Sequence, residues 1–368
     1  MATSRLHELF QLGVSPWIDS VSREMLETGE LARLMKEDAV VGVTSNPTIF
    51  QKALSTGDWY DEQLAELLKT EDDPTEIFLQ LAMEDIRRAC DLMKPVWDRT
   101  NGVDGYVSIE VDPTLAYDRE ATFEQAMRLH EEVDKPNVFV KIPATVPGLA
   151  AIEDCIAKGK SINVTLIFSL ERYAAVVEAY IRGLERLVAG GGDPTNVASV
   201  ASFFVSRVDT EADRRLDEAG APSELKGKLA VANARLAYQR YQELFSGERW
   251  GALAAKDATK QRCLWASTST KNPDYRDVMY VEELIGPETV NTMPFETIEA
   301  FQDHGVVADT LDQGVDDARK LLEDLASAGV DYDDVTDTLE REGVQKFSDS
   351  FAELLDGVRA KRGELVSA

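Results

Sequence analysis

Val138-Phe139-Val140-Lys141-Ile142-Pro143-Ala144-Thr145 is the stretch on which the reading of this chain turns. Its β-branched and aromatic residues, stopped by a proline and flanked by turn formers, predict a short buried strand. A lysine stands near the end of that strand. An ammonium group is expensive to bury, so a lysine there must reach water, find a partner or give up its proton. The last outcome leaves a nucleophilic amine able to form a Schiff base with a carbonyl substrate. A lysine merely leaving the strand for solvent is the plainer reading of these eight residues alone.

Working outward, similar segments recur at Pro16–Ser20, Ala39–Ser45, Gly105–Val111, Ser161–Ile167, Val197–Val205, Arg262–Ser269 and Thr289–Met293. Amphipathic stretches such as Thr122–Val133, Ser169–Val188, Glu224–Phe245 and Phe295–Gln302 alternate with them. Eight β-then-α units predict an α/β chain folded as a closed (β/α)8 TIM barrel, one domain over residues 1–368. A doubly wound open sheet is the alternative, but no Gly-rich dinucleotide fingerprint follows any strand. Surplus length falls in a helical insertion at about 51–101 and in helices at about 314–363. In the latter, Phe347, Phe351, Leu354, Leu355 and Val358 make one apolar stripe, which predicts helices packed on the barrel.

Composition narrows the function. At 44% hydrophobic and 29% charged, the chain can bury a sizeable core. No apolar run approaches the ~20 residues of a membrane span, and the first residues lack a signal-peptide layout. Cys90, Cys155 and Cys263 are widely spaced and odd in number, which predicts free thiols in a reducing cytoplasm. His7, His130 and His304 show no paired spacing, so neither a metal site nor a histidine-based triad is expected. A net charge of −28 repels nucleic acid and anionic membranes. It also repels a phosphorylated substrate unless a few cations are focused at the site.

The strands carry a polar face. Ser161, Asn163 and Thr165 alternate with Ile162, Val164 and Leu166; Ser108 and Glu110 alternate with Val107, Ile109 and Val111. Thr44 and Asn46 follow Val41 and Val43, and Asp19 ends the first strand. Parallel strands under helices are usually apolar on both sides, so a repeated polar side points to a barrel interior whose C-terminal mouth is the site. Plainer readings exist: Asn46 before Pro47 as a helix cap, Asp19 as another, Ser267 to Thr270 as a solvated loop, Phe203 and Phe204 as core. Glu110 is harder to set aside, because a carboxylate between Ile109 and Val111 must be paired or exchanging protons.

These segments resemble transaldolase, a class I, Schiff-base-forming family of the pentose phosphate pathway. The resemblance rests on Trp17-Ile18-Asp19-Ser20, Thr44-Ser45-Asn46-Pro47, Ser108-Ile109-Glu110-Val111-Asp112, Val140 to Thr145, Asn163 to Ser169, Ser202 to Arg207 and Ser269-Thr270-Lys271-Asn272-Pro273, in family order over about 15–295. It implies that Lys141 forms the Schiff base with a ketose donor. Glu110 would act as general acid/base through a water ordered partly by Thr165, and Asp19 would take the proton of the C4 hydroxyl. Asn46, Asn163 and Ser202 would hold the dihydroxyacetone unit, with Thr44, Ser108 and Phe204 in the same pocket. Arg207, Ser269 and Lys271 match the family's phosphate site, where many relatives carry Arg in place of Lys271. Sugar phosphates would be the partners, with no cofactor, and the chain a monomer or homodimer.

Two rival functions stand beside this. One is a simple aldolase similar to fructose-6-phosphate aldolase, whose members carry glutamine in place of Glu110 and tyrosine in place of Phe204. The other is an inactive barrel used as a scaffold, which predicts eroded polar strand faces. Residues beyond Gly305 match the family only loosely.

Overall fold

The computed structural model describes residues 4–367, with side chains through 363. The outermost residues of the expected 1–368 extent, 1–3 and 368, lie outside the described residues. Seven parallel strands carry the fold: β1 (Val14–Ile18), β2 (Val107–Glu110), β3 (Val138–Pro143), β4 (Ile162–Ile167), β5 (Ser199–Phe204), β6 (Arg262–Ala266) and β7 (Thr289–Met293), hydrogen-bonded in the order β1-β7-β6-β5-β4-β3-β2. Their side chains are almost all buried, as parallel strands under helices require.

The eighth strand, expected at Ala39–Ser45, is reduced to one bridging residue. Val43 pairs with Ile18 on one side and Val107 on the other. The segment still closes the ring: Val41 N–H donates to Pro16 O and Thr44 N–H to Ile18 O, while Val43 N–H donates to Tyr106 O and Ser108 N–H to Val43 O, all between 2.9 and 3.0 Å. Its irregularity has visible causes. Ala39 sits in the left-handed region at φ 52°, and a Cβ on Gly42 would stand 2.3 Å from the Trp17 indole. The barrel is therefore closed, and its eighth position is filled by a strand too short and bent to form a ladder.

Strand ends shift by a residue or two from expectation, which is ordinary. Thus β1 begins at Val14 and leaves Asp19 just past its end.

The insertion forms three helices, Pro47–Ser55, Asp61–Leu67 and Pro74–Arg99. Capping explains where the first begins: Asn46 Oδ1 accepts Ile49 N–H at 3.1 Å, and Pro47 occupies the first turn, where its missing N–H costs nothing. At the other end of the chain, Val315–Ser327 is followed by a single helix, Tyr332–Ser367, of 36 residues. Its apolar stripe is buried, with Phe351 edge-on to Phe78 and Phe78 edge-on to Phe50. Burying each such ring is worth about 1.5–3 kcal/mol. Ion pairs Arg172–Glu340, Arg215–Asp334, Lys361–Asp61 and Arg362–Asp72 tie the same helix to the barrel helices and the insertion. This last helix thus lies across the barrel mouth, and the insertion is its bed.

Candidate active site

A cavity of about 530 Å³ opens at the C-terminal ends of the strands. That size suits a small organic ligand. Of the predicted site residues, Asp19, Thr44, Asn46, Lys141, Thr165, Ser202, Phe204, Arg207, Ser269 and Lys271 line it. Glu110 and Asn163 lie behind that wall, each close or bonded to a lining residue, and Ser108 lies one hydrogen bond further back, on Asn163.

Register explains the centre. Glu110, Lys141 and Asn163 are adjacent Cα partners across β2, β3 and β4, so their side chains share one level of the interior. Lys141 is buried; its Nζ donates to Ser45 O at 2.8 Å and stands 3.3 Å from Glu110 Oε2. That second contact is electrostatic, since neither Glu110 carboxylate oxygen has an aligned donor. Burial pushes the Glu110 carboxyl above the ordinary carboxylate range, against the pull of the Lys141 ammonium. Thr165 Oγ1 is also buried without a protein partner. Three acceptor or donor atoms are thus free for a substrate or a water.

Below the amine runs a hydrogen-bonded chain: Ser202 Oγ donates to Asn163 Oδ1 at 2.7 Å, and Asn163 Nδ2 donates to Ser108 Oγ at 3.1 Å. It fixes the Asn163 carboxamide and spans three strands. On the opposite wall, Thr44 Oγ1 donates to Asp19 Oδ1 at 2.6 Å. Thr292 then donates to Thr44 Oγ1, also at 2.6 Å. Burial raises Asp19 above its ordinary range, while Lys141, the Thr44 hydrogen bond and Arg207 oppose the rise. Asp19 caps no helix; Ser22 does that for Arg23–Glu27. Asn46 does act as a cap, which leaves its amide nitrogen as the remaining hydrogen-bonding group.

The positive end is built from β5 and β6. The Arg207 guanidinium carbon lies 5.0 Å from the Phe204 ring centre and 5.9 Å from that of Phe347. Two aromatic faces hold this cation without neutralising it. Burial lowers its pKa, with Asp19 and Glu110 opposing. Lys271 Nζ donates to Ser269 Oγ at 2.6 Å. Burial lowers this ammonium too, Glu296 opposing and Arg207 and Lys346 adding to the effect.

Two backbone features shape the rim. Leu166 takes φ 60° where the β4–β5 register slips between Val164 and Ile167, and Ser267 takes φ 56° just after β6. Left-handed backbone at a bulky residue costs of the order of 1–3 kcal/mol and concentrates at functional sites. Sequence reasoning missed both. It also missed Thr292, whose signal was the polar position in Thr289–Met293, and Lys52, Lys346 and Phe347, all of which line the cavity. Phe347 stood in an apolar stripe, and nothing in that pattern marks a ring that faces a cavity instead of the core.

Comparison with known proteins bears directly on this constellation. The family model described as Transaldolase/Fructose-6-phosphate aldolase matches residues 16–358. The chain belongs to that family. The match runs well past Gly305, so the last helix falls within the family pattern, contrary to the loose agreement expected there. Proteins named Transaldolase are similar over nearly full length: that of Acidothermus cellulolyticus is 54% identical over 98% of this chain and 100% of its own. That of Parafrankia is 53% identical over 98% and 99%, and that of Mycobacterium tuberculosis 50% identical over 96% of each. Identity at this level throughout makes the chain an enzyme, a transferase of the transaldolase type. No helix among the described residues is long and apolar enough to cross a membrane.

Proposed function

We propose that this enzyme transfers a dihydroxyacetone unit from sedoheptulose 7-phosphate or fructose 6-phosphate to glyceraldehyde 3-phosphate or erythrose 4-phosphate, through a Schiff base on Lys141. The observation that carries the reading is the buried amine of Lys141 facing a cavity shared with Asp19 and with unneutralised cations. The amine adds to the C2 carbonyl of the donor, and loss of water gives an iminium. Asp19, made more basic than an ordinary carboxylate by burial, takes the C4 hydroxyl proton. The C3–C4 bond breaks, its electrons pass into the iminium, and the aldose phosphate leaves an enamine on Lys141. An acceptor aldehyde then receives the C3 carbon, and Asp19 returns the proton. Glu110 serves proton transfers at the imine through water, with Thr165 Oγ1 as a second contact for that water. Asn46, Asn163 and Ser202 bind the retained unit; Arg207, Ser269 and Lys271 bind phosphate by a planar fork and a point charge.

Phe204 favours transfer over release. Its ring packs against Phe168 at 5.2 Å and has no hydroxyl to activate water against the iminium that forms once the enamine is protonated at carbon. The three cysteines are free and buried, which fits the cytoplasmic setting we propose. The test is borohydride reduction with fructose 6-phosphate, followed by peptide mass mapping. A three-carbon adduct on Lys141, and loss of activity in Lys141→Ala, are expected. An adduct on another lysine overturns the assignment, and free dihydroxyacetone without an acceptor moves the reading to the aldolase.

A further inference from the structure

The cavity holds more positive charge than the reading above employs. Besides Arg207 and Lys271, its lining includes Lys52 and Lys346. Among the described residues none of these four has a carboxylate oxygen within 4.0 Å. Glu211 lines the same cavity, yet it is engaged by Arg214 and Arg215 instead. In a chain with 67 acidic and 39 basic residues, four unneutralised cations around one opening are a deliberate charge focus.

Lys346 stands out among them by position. It comes from the last helix, next to Phe347, whose ring covers the Arg207 guanidinium. Both it and Lys271 line this cavity, and its charge bears on that of Lys271. Glu342, one turn earlier on the helix, and Glu296 also line the cavity, but neither pairs with Lys346. Lys52 lies elsewhere, where this cavity meets a second one of about 300 Å³.

We propose that Lys346 supplies a third cation to the phosphate held at Arg207 and Lys271, making the last helix a determinant of substrate selection. The inference rests on the phosphate reading of those two residues. Arg207 presents a fork packed against two aromatic rings and Lys271 an exposed point charge held by its hydrogen bond to Ser269, whereas Lys346 is exposed on a flexible stem. A group of that kind adds charge without fixing geometry, so it acts on capture of the substrate and leaves the chemical step alone.

The test compares wild type, Lys346→Gln and Lys346→Arg with glyceraldehyde 3-phosphate and with unphosphorylated glyceraldehyde as acceptors. Lys346→Gln should raise KM for the phosphorylated acceptor roughly three- to tenfold, as befits a solvent-exposed charge pair with a dianion. Its kcat, and its KM for glyceraldehyde, should stay unchanged. Lys346→Arg should behave as wild type, and the difference should shrink at high ionic strength. Binding of inorganic phosphate by calorimetry should weaken in Lys346→Gln and hold in Lys346→Arg. Equal shifts on both acceptors, or wild-type phosphate binding in Lys346→Gln, overturn the proposal. Arg207→Ala separates the two layers: if it abolishes phosphate binding while Lys346→Gln does nothing, only the role of Lys346 falls. If Arg207→Ala leaves phosphate binding intact, the phosphate reading itself falls, and Lys346 with it.

Discussion

Replacing Lys141 by methionine should destabilise the protein in a way that depends steeply on pH. Methionine keeps the length and removes the charge. What remains is Glu110, with a side chain only 3% exposed and no aligned donor on either oxygen. Breaking a buried ion pair by removing one partner costs about 3–5 kcal/mol, because the other charge is left uncompensated. Glu110 has a way to avoid that cost, which is to hold a proton. Burial already raises its pKa in the wild type against the pull of Lys141, and the variant removes that pull. A carboxyl whose folded pKa exceeds its unfolded one stabilises the fold fully below the ordinary carboxylate range. That contribution is lost as pH rises through the folded pKa, by up to about 1.4 kcal/mol per pH unit. From pH 5 to pH 8 the loss can therefore reach at most about 4 kcal/mol, the same order as the cost of a broken buried pair. Urea midpoints for wild type and Lys141→Met at both pH values measure this. The variant should lie near wild type at pH 5 and fall well below it at pH 8. Lys141→Met/Glu110→Gln should lose most of the slope, keeping a remainder from Asp19, which Lys141 also restrains. A difference that is flat from pH 5 to pH 8, or that grows on acidification, would refute the argument.

Asp209 should impose a second, independent pH dependence. Burial pushes it up to about 7, against hydrogen bonds from Ala230 N–H at 2.7 Å and Tyr280 Oη–H at 2.8 Å, so its stabilising contribution is lost as pH rises through about 7. Asp209→Asn should flatten the fall in Tm between pH 6 and pH 8. Gly42→Ala should cost about 1–3 kcal/mol or more, because the new Cβ would meet the Trp17 indole at 2.3 Å. Trp17→Leu in the same chain should recover part of that loss in the denaturant midpoint.

The fold was legible wherever a short-range pattern carried it. Strands β1 to β7 announced themselves by β-branched runs, and the polar alternation in β2 and β4 pointed into the barrel. The eighth strand was legible as apolar sequence but not as geometry, since its bend follows from Gly42 meeting Trp17, a contact between segments. Sequence spacing likewise could not distinguish a cap from a ligand at Asn46, because one carboxamide presents both an acceptor and a donor. The sequence predicts helices over about 314–363, with a clear apolar stripe only from Phe347 onward. The true helix begins at Tyr332, and its first half is mostly polar: Glu340 and Asp334 meet arginines of the barrel helices. A polar helical face reads as solvent-exposed unless its partners are known, and those partners lie more than a hundred residues away.

That last helix also explains how an acidic chain keeps its positive site. Most arginines around the barrel are neutralised by neighbouring carboxylates, often on the same helix, as in Arg214 with Glu211 and Glu218. Arg207 would attract a carboxylate in the same way if one had room to approach. Phe204 and Phe347 stand 5.0 and 5.9 Å from its guanidinium carbon and fill space beside it that another side chain could take. Gly343, one turn before Phe347, allows the helix to come this near, since a Cβ there would stand 3.0 Å from Leu166 Cδ2. Leu166 is itself the residue bent into the left-handed region at the end of β4. The strained strand end, the glycine and the aromatic ring are thus successive parts of one contact. Its outcome is a half-buried guanidinium that lines the cavity and, among the described residues, has no carboxylate within ion-pair distance.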